Sequence, residues 1–224
     1  MPRLDRLAAV VAVTLAGITL SFSARLPSWR VSLPFAFSLE ITDTAAFAVL
    51  STLVVCLGMD SLVRSHPEMK NAPHARTLPF CFLPALLTVG SLFYLHLLPG
   101  TFAQALGLAV VGLLLTMAVA GEYMTIVPPG PRYGPARYAL DLVVLLTAFI
   151  NFSTIYSTKA RSMYTATAVT VVAALLALET LRYRETGSRR GLLYAGVIGL
   201  ALGEATWALN YWAITGLVGG LFLL

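Results

Sequence analysis

One carboxylate, Glu204, stands within "GEATWALNYW", residues 203 to 212, inside the last and longest apolar run of the chain, Gly191 to Leu224. A charged side chain is costly in hydrocarbon, so it normally faces a bundle interior with a partner and is a functional candidate by default. Partners of suitable chemistry recur at comparable depth. Thr147, Asn151, Thr154 and Thr158 follow one another at intervals of four, three and four residues, which places them on one helical face. Tyr164, Thr165, Thr167 and Thr170 open the next apolar run. The spacing therefore predicts a buried polar cluster in which a neutral Glu204 bonds Asn151 or a hydroxyl among Thr147, Thr154, Thr167 and Thr170. A proton relay would need more than one deep ionisable group, so a structural bond between helices is the better reading.

Four other acidic residues, Asp60, Glu122, Asp141 and Glu179, fall near the ends of apolar runs, close to Arg64, Arg137 and Arg182. Asp60 with Arg64 and Arg137 with Asp141 have the four-residue spacing of helical ion pairs. The segment "RSHPEMKNAPH" holds His66, Glu68 and His74, a weak metal pattern. His96 is a candidate axial ligand for a haem or chlorophyll, although a lone histidine near an interface more commonly snorkels. Cys56 and Cys81 lie inside apolar runs and read as small hydrophobes, with no metal or redox chemistry indicated. GxSxG, HExxH, P-loop and GxGxxG motifs are absent, as is a lysine in the last run on which retinal could be carried, so an enzyme is not expected.

These residues are positioned by a membrane architecture. Hydrophobic residues make up 58% of the 224 and charged residues 11%, against roughly half and a quarter in soluble domains. A spanning helix needs about 20 apolar residues, and runs of that length repeat along the chain. Continuous runs such as "ALGLAVVGLLLTMAVA" exclude the alternating strands of an outer-membrane barrel. The expected fold is all-α: one transmembrane domain, 1–224, of about seven spans near 7–24, 44–64, 78–98, 101–123, 138–157, 162–182 and 191–210. The start resembles a signal peptide in layout but is read as a retained first helix.

The final run, as one helix, would extend about 51 Å, so it must break, most naturally within "NYWAITG". A partial eighth helix from 213 follows, and the chain is expected to continue past Leu224. Residues 30–42 alternate apolar and polar positions and read as an extended segment on the outer surface, with Pro34 keeping it at an edge. "VPPGPRYGPAR" reads as a non-helical turn between the fourth and fifth spans.

Of the 15 basic residues, only Arg25, Arg30, Lys159 and Arg161 fall on the side opposite the N-terminus. The positive-inside rule then places the N-terminus in the cytoplasm. Although the formal net charge is +5, the basic residues are scattered through loops, which argues against nucleic acid as a partner. Gly199 with Gly203 and Gly216 with Gly220 form GxxxG pairs suited to close helix packing, within the chain or against another protein. Trp29, Trp207 and Trp212 fit an interfacial aromatic belt.

"GMDSLVRSHP", residues 58 to 67, together with "GEATWALNYW", resembles an uncharacterised family of bacterial polytopic membrane proteins described as a domain of unknown function. The resemblance implies a multi-helix bundle and carries no activity or site residue. The function expected is a non-catalytic integral subunit of a larger inner-membrane complex, of respiratory or photosynthetic type. Its partners would be other integral subunits and the bilayer, with lipid, quinone or pigment as the cofactor classes to consider. The alternative is a small proton-coupled transporter working through Glu204.

Overall fold

The computed structural model describes residues 4–24, 29–33, 37–126, 133–158, 160–182, 188–212 and 215–224. Arg3, Arg25, Arg132, Lys159 and Arg184, five of the residues used for the charge asymmetry, lie outside the described residues, as do Pro34, Phe35 and the turn 127–132.

In chain order the elements are α1 (Leu4–Ser23), β1 (Trp29–Leu33), β2 (Phe37–Ile41), α2 (Asp43–Arg64), a 3₁₀ turn (Pro67–Met69), α3 (His74–Thr77), α4 (Pro79–Leu97), α5 (Thr101–Met124), α6 (Tyr133–Ser157), α7 (Ser162–Arg182), α8 (Ser188–Leu209) and α9 (Gly216–Phe222). Seven helices among the described residues, α1, α2 and α4 to α8, are long and apolar enough to cross a membrane. The period-two stretch pairs as an antiparallel hairpin, with Trp29 opposite Ile41, Val31 opposite Leu39 and Leu33 opposite Phe37.

Local chemistry sets the helix boundaries. Thr42 caps α2 by accepting from the Ala45 N–H at 3.3 Å. Between α4 and α5 the chain turns at Gly100, whose φ of 82° lies in the region open to glycine. α6 begins earlier than the proline and glycine content suggests. Pro135 falls in its first turn, where a missing N–H costs no helical hydrogen bond, so the expected non-helical segment ends by Tyr133. The final run breaks after Leu209, and α9 turns back along α6: a Cβ at Gly219 would meet the Tyr156 ring, and one at Gly220 would meet Ser153.

α4 is the central helix, packed on α2, α5 and α6 and also meeting α1 and α7. Its apolar window is 56% buried, against 22% for α8, which packs chiefly on α7. Gly199 and Gly203 allow that contact. A Cβ at Gly199 would lie 2.6 Å from the Thr170 carbonyl oxygen, and one at Gly203 would run into the Thr170 hydroxyl. Asn210 Nδ2 donates to Thr165 Oγ1 at 2.6 Å, so the partners of α8 on α7 fall in number as α8 advances, which makes the two helices antiparallel.

One end of the bundle gathers the end of α2, α5 and α7 with the start of α4 and α6. We refer to it as the charged end and to the opposite end as the hairpin end.

Candidate functional site

At the charged end, four helices converge on one buried cluster. Glu122, in the last turn of α5, has 0% exposure, and Glu179, in the last turn of α7, has 2%. Arg182 Nη2 lies 2.6 Å from Glu122 Oε2 and 3.0 Å from Glu179 Oε1, so a single guanidinium nitrogen meets both carboxyl groups. The guanidinium carbon sits 4.3 Å from the centroid of Phe80 at the start of α4, a cation–π contact strengthened by burial. From α6, Arg137 Nη2 donates to the Thr180 carbonyl at 3.2 Å, fastening the same turn of α7. Chemically the cluster can hold opposite charges out of water and lock α4, α5, α6 and α7 in register.

The expected ion pairs are formed and do more than decorate a surface. Arg64 Nε donates to Asp60 Oδ2 at 2.8 Å, while Thr77 Oγ1 donates to Asp60 Oδ1 at 2.7 Å and ties α2 to the segment before α4. Arg64 Nη2 also donates to His74 Nδ1 at 2.7 Å. Arg137 Nη2 donates to Asp141 Oδ1 at 2.7 Å within α6. The sequence places Glu122, Glu179 and Arg182 near helix ends but does not foretell their meeting across helices or the burial of the two carboxyl groups. A carboxylate in the last turn of an otherwise apolar helix, and a Glu/Arg pair three apart in another, were the available signals.

The cluster expected around Glu204 is not formed, and this corrects the reading from spacing. Glu204 is exposed on the outward side of α8, while its neighbours Gly203 and Thr206 are buried toward the bundle. Asn151 bonds elsewhere: its Nδ2 donates to Leu86 O on α4 at 3.2 Å and to Thr147 O at 2.8 Å. It fits over Gly90, where an added Cβ would lie 2.5 Å from Nδ2. Thr147 is fully buried beside it, with no hydrogen-bond partner for its hydroxyl among the described residues. Thr154 and Thr170 donate to carbonyls of their own helices, Ile150 at 2.7 Å and Ala166 at 2.8 Å. Thr167 is exposed and donates to Met163 O at 2.8 Å. Asn210, just past the end of α8, instead donates to Thr165 on α7, and the Tyr156 hydroxyl donates to the Leu209 carbonyl to hold the end of α8 on α6.

Asn151→Leu should therefore loosen α4 from α6, not α8 from α7. The expected loss is about 1 kcal/mol, the usual size of a polar contact between membrane helices. Unfolding in mixed micelles measures it, and an unchanged midpoint would count against the Asn151 to Leu86 bond.

His96 is engaged within the protein. Its Nδ1 donates to the Leu92 carbonyl at 2.8 Å, and its ring stacks on Phe22 with centroids 4.5 Å apart. Among the described residues there is no group of three His, Cys, Asp or Glu able to hold a metal ion. Both GxxxG pairs are used inside the chain, Gly199 and Gly203 against α7, Gly216 and Gly220 against Ser157 and Ser153 of α6. An apolar groove of about 500 Å³ runs between α6, α7 and α8, with Ala148, Phe152, Leu176 and Leu202 in its wall and Asp141 and Thr180 at its charged end. Glu204 does not line it.

Seven apolar helices among the described residues, around a polar-stitched interior, make this a multi-pass membrane protein with an all-α bundle. The chain belongs to the family described as Protein of unknown function (DUF5656), whose model matches residues 26–224. No curated protein and no solved structure matches it.

Proposed function

We propose that the protein is a non-catalytic integral subunit of a larger assembly in a bacterial inner membrane, and that it docks on a neighbouring helix through the outward face of α8. The observation that carries this reading is the position of Glu204. The side chain is exposed on a helix packed chiefly on α7, one to two turns from the hairpin end of a membrane span. A carboxylate directed away from its own bundle at that depth needs a donor from outside the chain. Ala201, Ala205 and Ala208 flank it on the same exposed face, the small-residue spacing by which membrane helices approach closely. A partner helix offering a hydroxyl, amide or cationic group opposite Glu204 matches that surface. Trp207 and Tyr211, edge to face at 5.7 Å, sit at the same end, and aromatic pairs of this kind mark the bilayer interface. The charge asymmetry supports a cytoplasmic charged end.

A carrier working through Glu204 is less well supported, because the groove between α6 and α8 excludes that residue.

The test is native purification in mild detergent, with a photo-crosslinking residue at Ala201 or Ala208. A second polytopic chain should co-purify and crosslink from both positions. Glu204→Gln should leave the association nearly intact, whereas Glu204→Leu should weaken it about fivefold, the equivalent of about 1 kcal/mol. A protein that runs alone and crosslinks only to lipid overturns the proposal.

A further inference from the structure

We propose that Cys56 and Cys81 are a disulfide-forming pair that can join α2 to α4 covalently. The residues are 25 apart in sequence and lie on different spans, yet tertiary packing brings them together. Cys81 Sγ lies 3.6 Å from the Cys56 carbonyl oxygen, which sets its thiol against the backbone of the turn that carries the second cysteine. Both are free cysteines.

The approach is held from the charged end, where the hydrogen bond from Thr77 to Asp60 fastens the same two segments about one helical turn away. The Cys81 thiol is oriented further by the Thr77 carbonyl, 3.9 Å from its sulfur. Cys81 is buried, whereas Cys56 is half-buried beside the outward-facing Leu53 and Leu57 of α2. The pair therefore has one side against the bundle and one side reachable from the bilayer.

A disulfide requires the sulfurs to close to about 2.05 Å with the two Cα atoms within about 7 Å, which only a close helix pair allows. In the reaction both S–H bonds break and one S–S bond forms. The two protons and two electrons pass to a bilayer-soluble two-electron acceptor of the quinone or azodicarboxamide class, which is reduced to the quinol or the hydrazine. Closure would clip α2 onto the central helix, and reduction would release it.

Diamide treatment of the full-length protein in mild detergent tests this. Thiols are counted by maleimide alkylation after denaturation, and peptides are mapped by mass spectrometry. Both thiols should be lost together, a peptide joining Cys56 to Cys81 should appear, and dithiothreitol should restore both. Cys56→Ser and Cys81→Ser should each leave the remaining thiol alkylatable. Closure should be about tenfold or more faster in the native protein than in the protein unfolded in SDS, because the groups are already held in contact. Equal rates in the two states, thiols that stay alkylatable, or thiols lost into crosslinks between chains would each overturn the proposal.

Discussion

Replacing Arg182 with methionine should destabilise the bundle by about 3–5 kcal/mol, the usual cost of removing one partner from a buried ion pair. The size follows from the position of the guanidinium. It contacts Glu122 at 2.6 Å and Glu179 at 3.0 Å, and both carboxyls are sealed from water. Their desolvation is offset by that attraction, and an apolar side chain of similar length offers none. Phe80 would also lose the cation over its ring. Glu122→Gln and Glu179→Gln, introduced together with Arg182→Met, should recover much of the loss, because replacing every charged member of such a cluster is far less harmful than removing one. Unfolding of the purified protein in mixed detergent and SDS micelles supplies the free energies. A stability for Arg182→Met within about 1 kcal/mol of wild type would remove the cluster from its place as the link among four helices.

Gly199→Leu should separate α8 from α7, at about 2–3 kcal/mol, the upper range for forcing volume into a packed contact. The Cβ alone would lie 2.6 Å from the Thr170 carbonyl oxygen and 2.9 Å from Ala174 Cβ, and the first of these is backbone that cannot rotate away. α8 packs chiefly on α7, so other contacts would do little to hold it in place. Gly196 supplies the control: a Cβ there meets nothing within 4 Å, and Gly196→Leu should be nearly silent. Hydrogen exchange separates the two outcomes. In Gly199→Leu, amides of α8 should lose protection while those of α2 and α4 keep it. Equal protection of α8 in both variants would show that the Gly199 contact does not hold the helix.

Apart from the start of α6, spans and their ends were legible in the sequence because membrane insertion is decided by segment hydropathy and length, which neighbouring helices hardly alter. The fourth span was read as 101–123 and is Thr101–Met124, and the sixth was read with the bounds it has, 162–182. Pairs within one helix were legible for the same reason, since Asp60 with Arg64 and Arg137 with Asp141 depend only on helical spacing. Residues 30–33 and 37–41 were legible as extended through their period of two.

What only the tertiary structure decided was the direction each helix face points. In a soluble protein the apolar stripe marks the inside, but a spanning helix is apolar all round, so depth can be read from the chain while azimuth cannot. Glu204 shows the difference, because its place along α8 was legible but its side was not. Gly199 and Gly203 turned out to face α7, leaving Ala201 and Ala205 to face outward, although both pairs have the same four-residue spacing. The same ambiguity hid the contact of Cys56 with Cys81 and the convergence of Glu122 and Glu179 on Arg182. The contacts of Cys81 with Cys56 and of Arg182 with Glu122 join residues 25 and 60 positions apart, and no local pattern encodes which helices will be neighbours. Packing of whole helices around α4 decides that, through the shapes of small residues and the cost of leaving a buried charge unpaired.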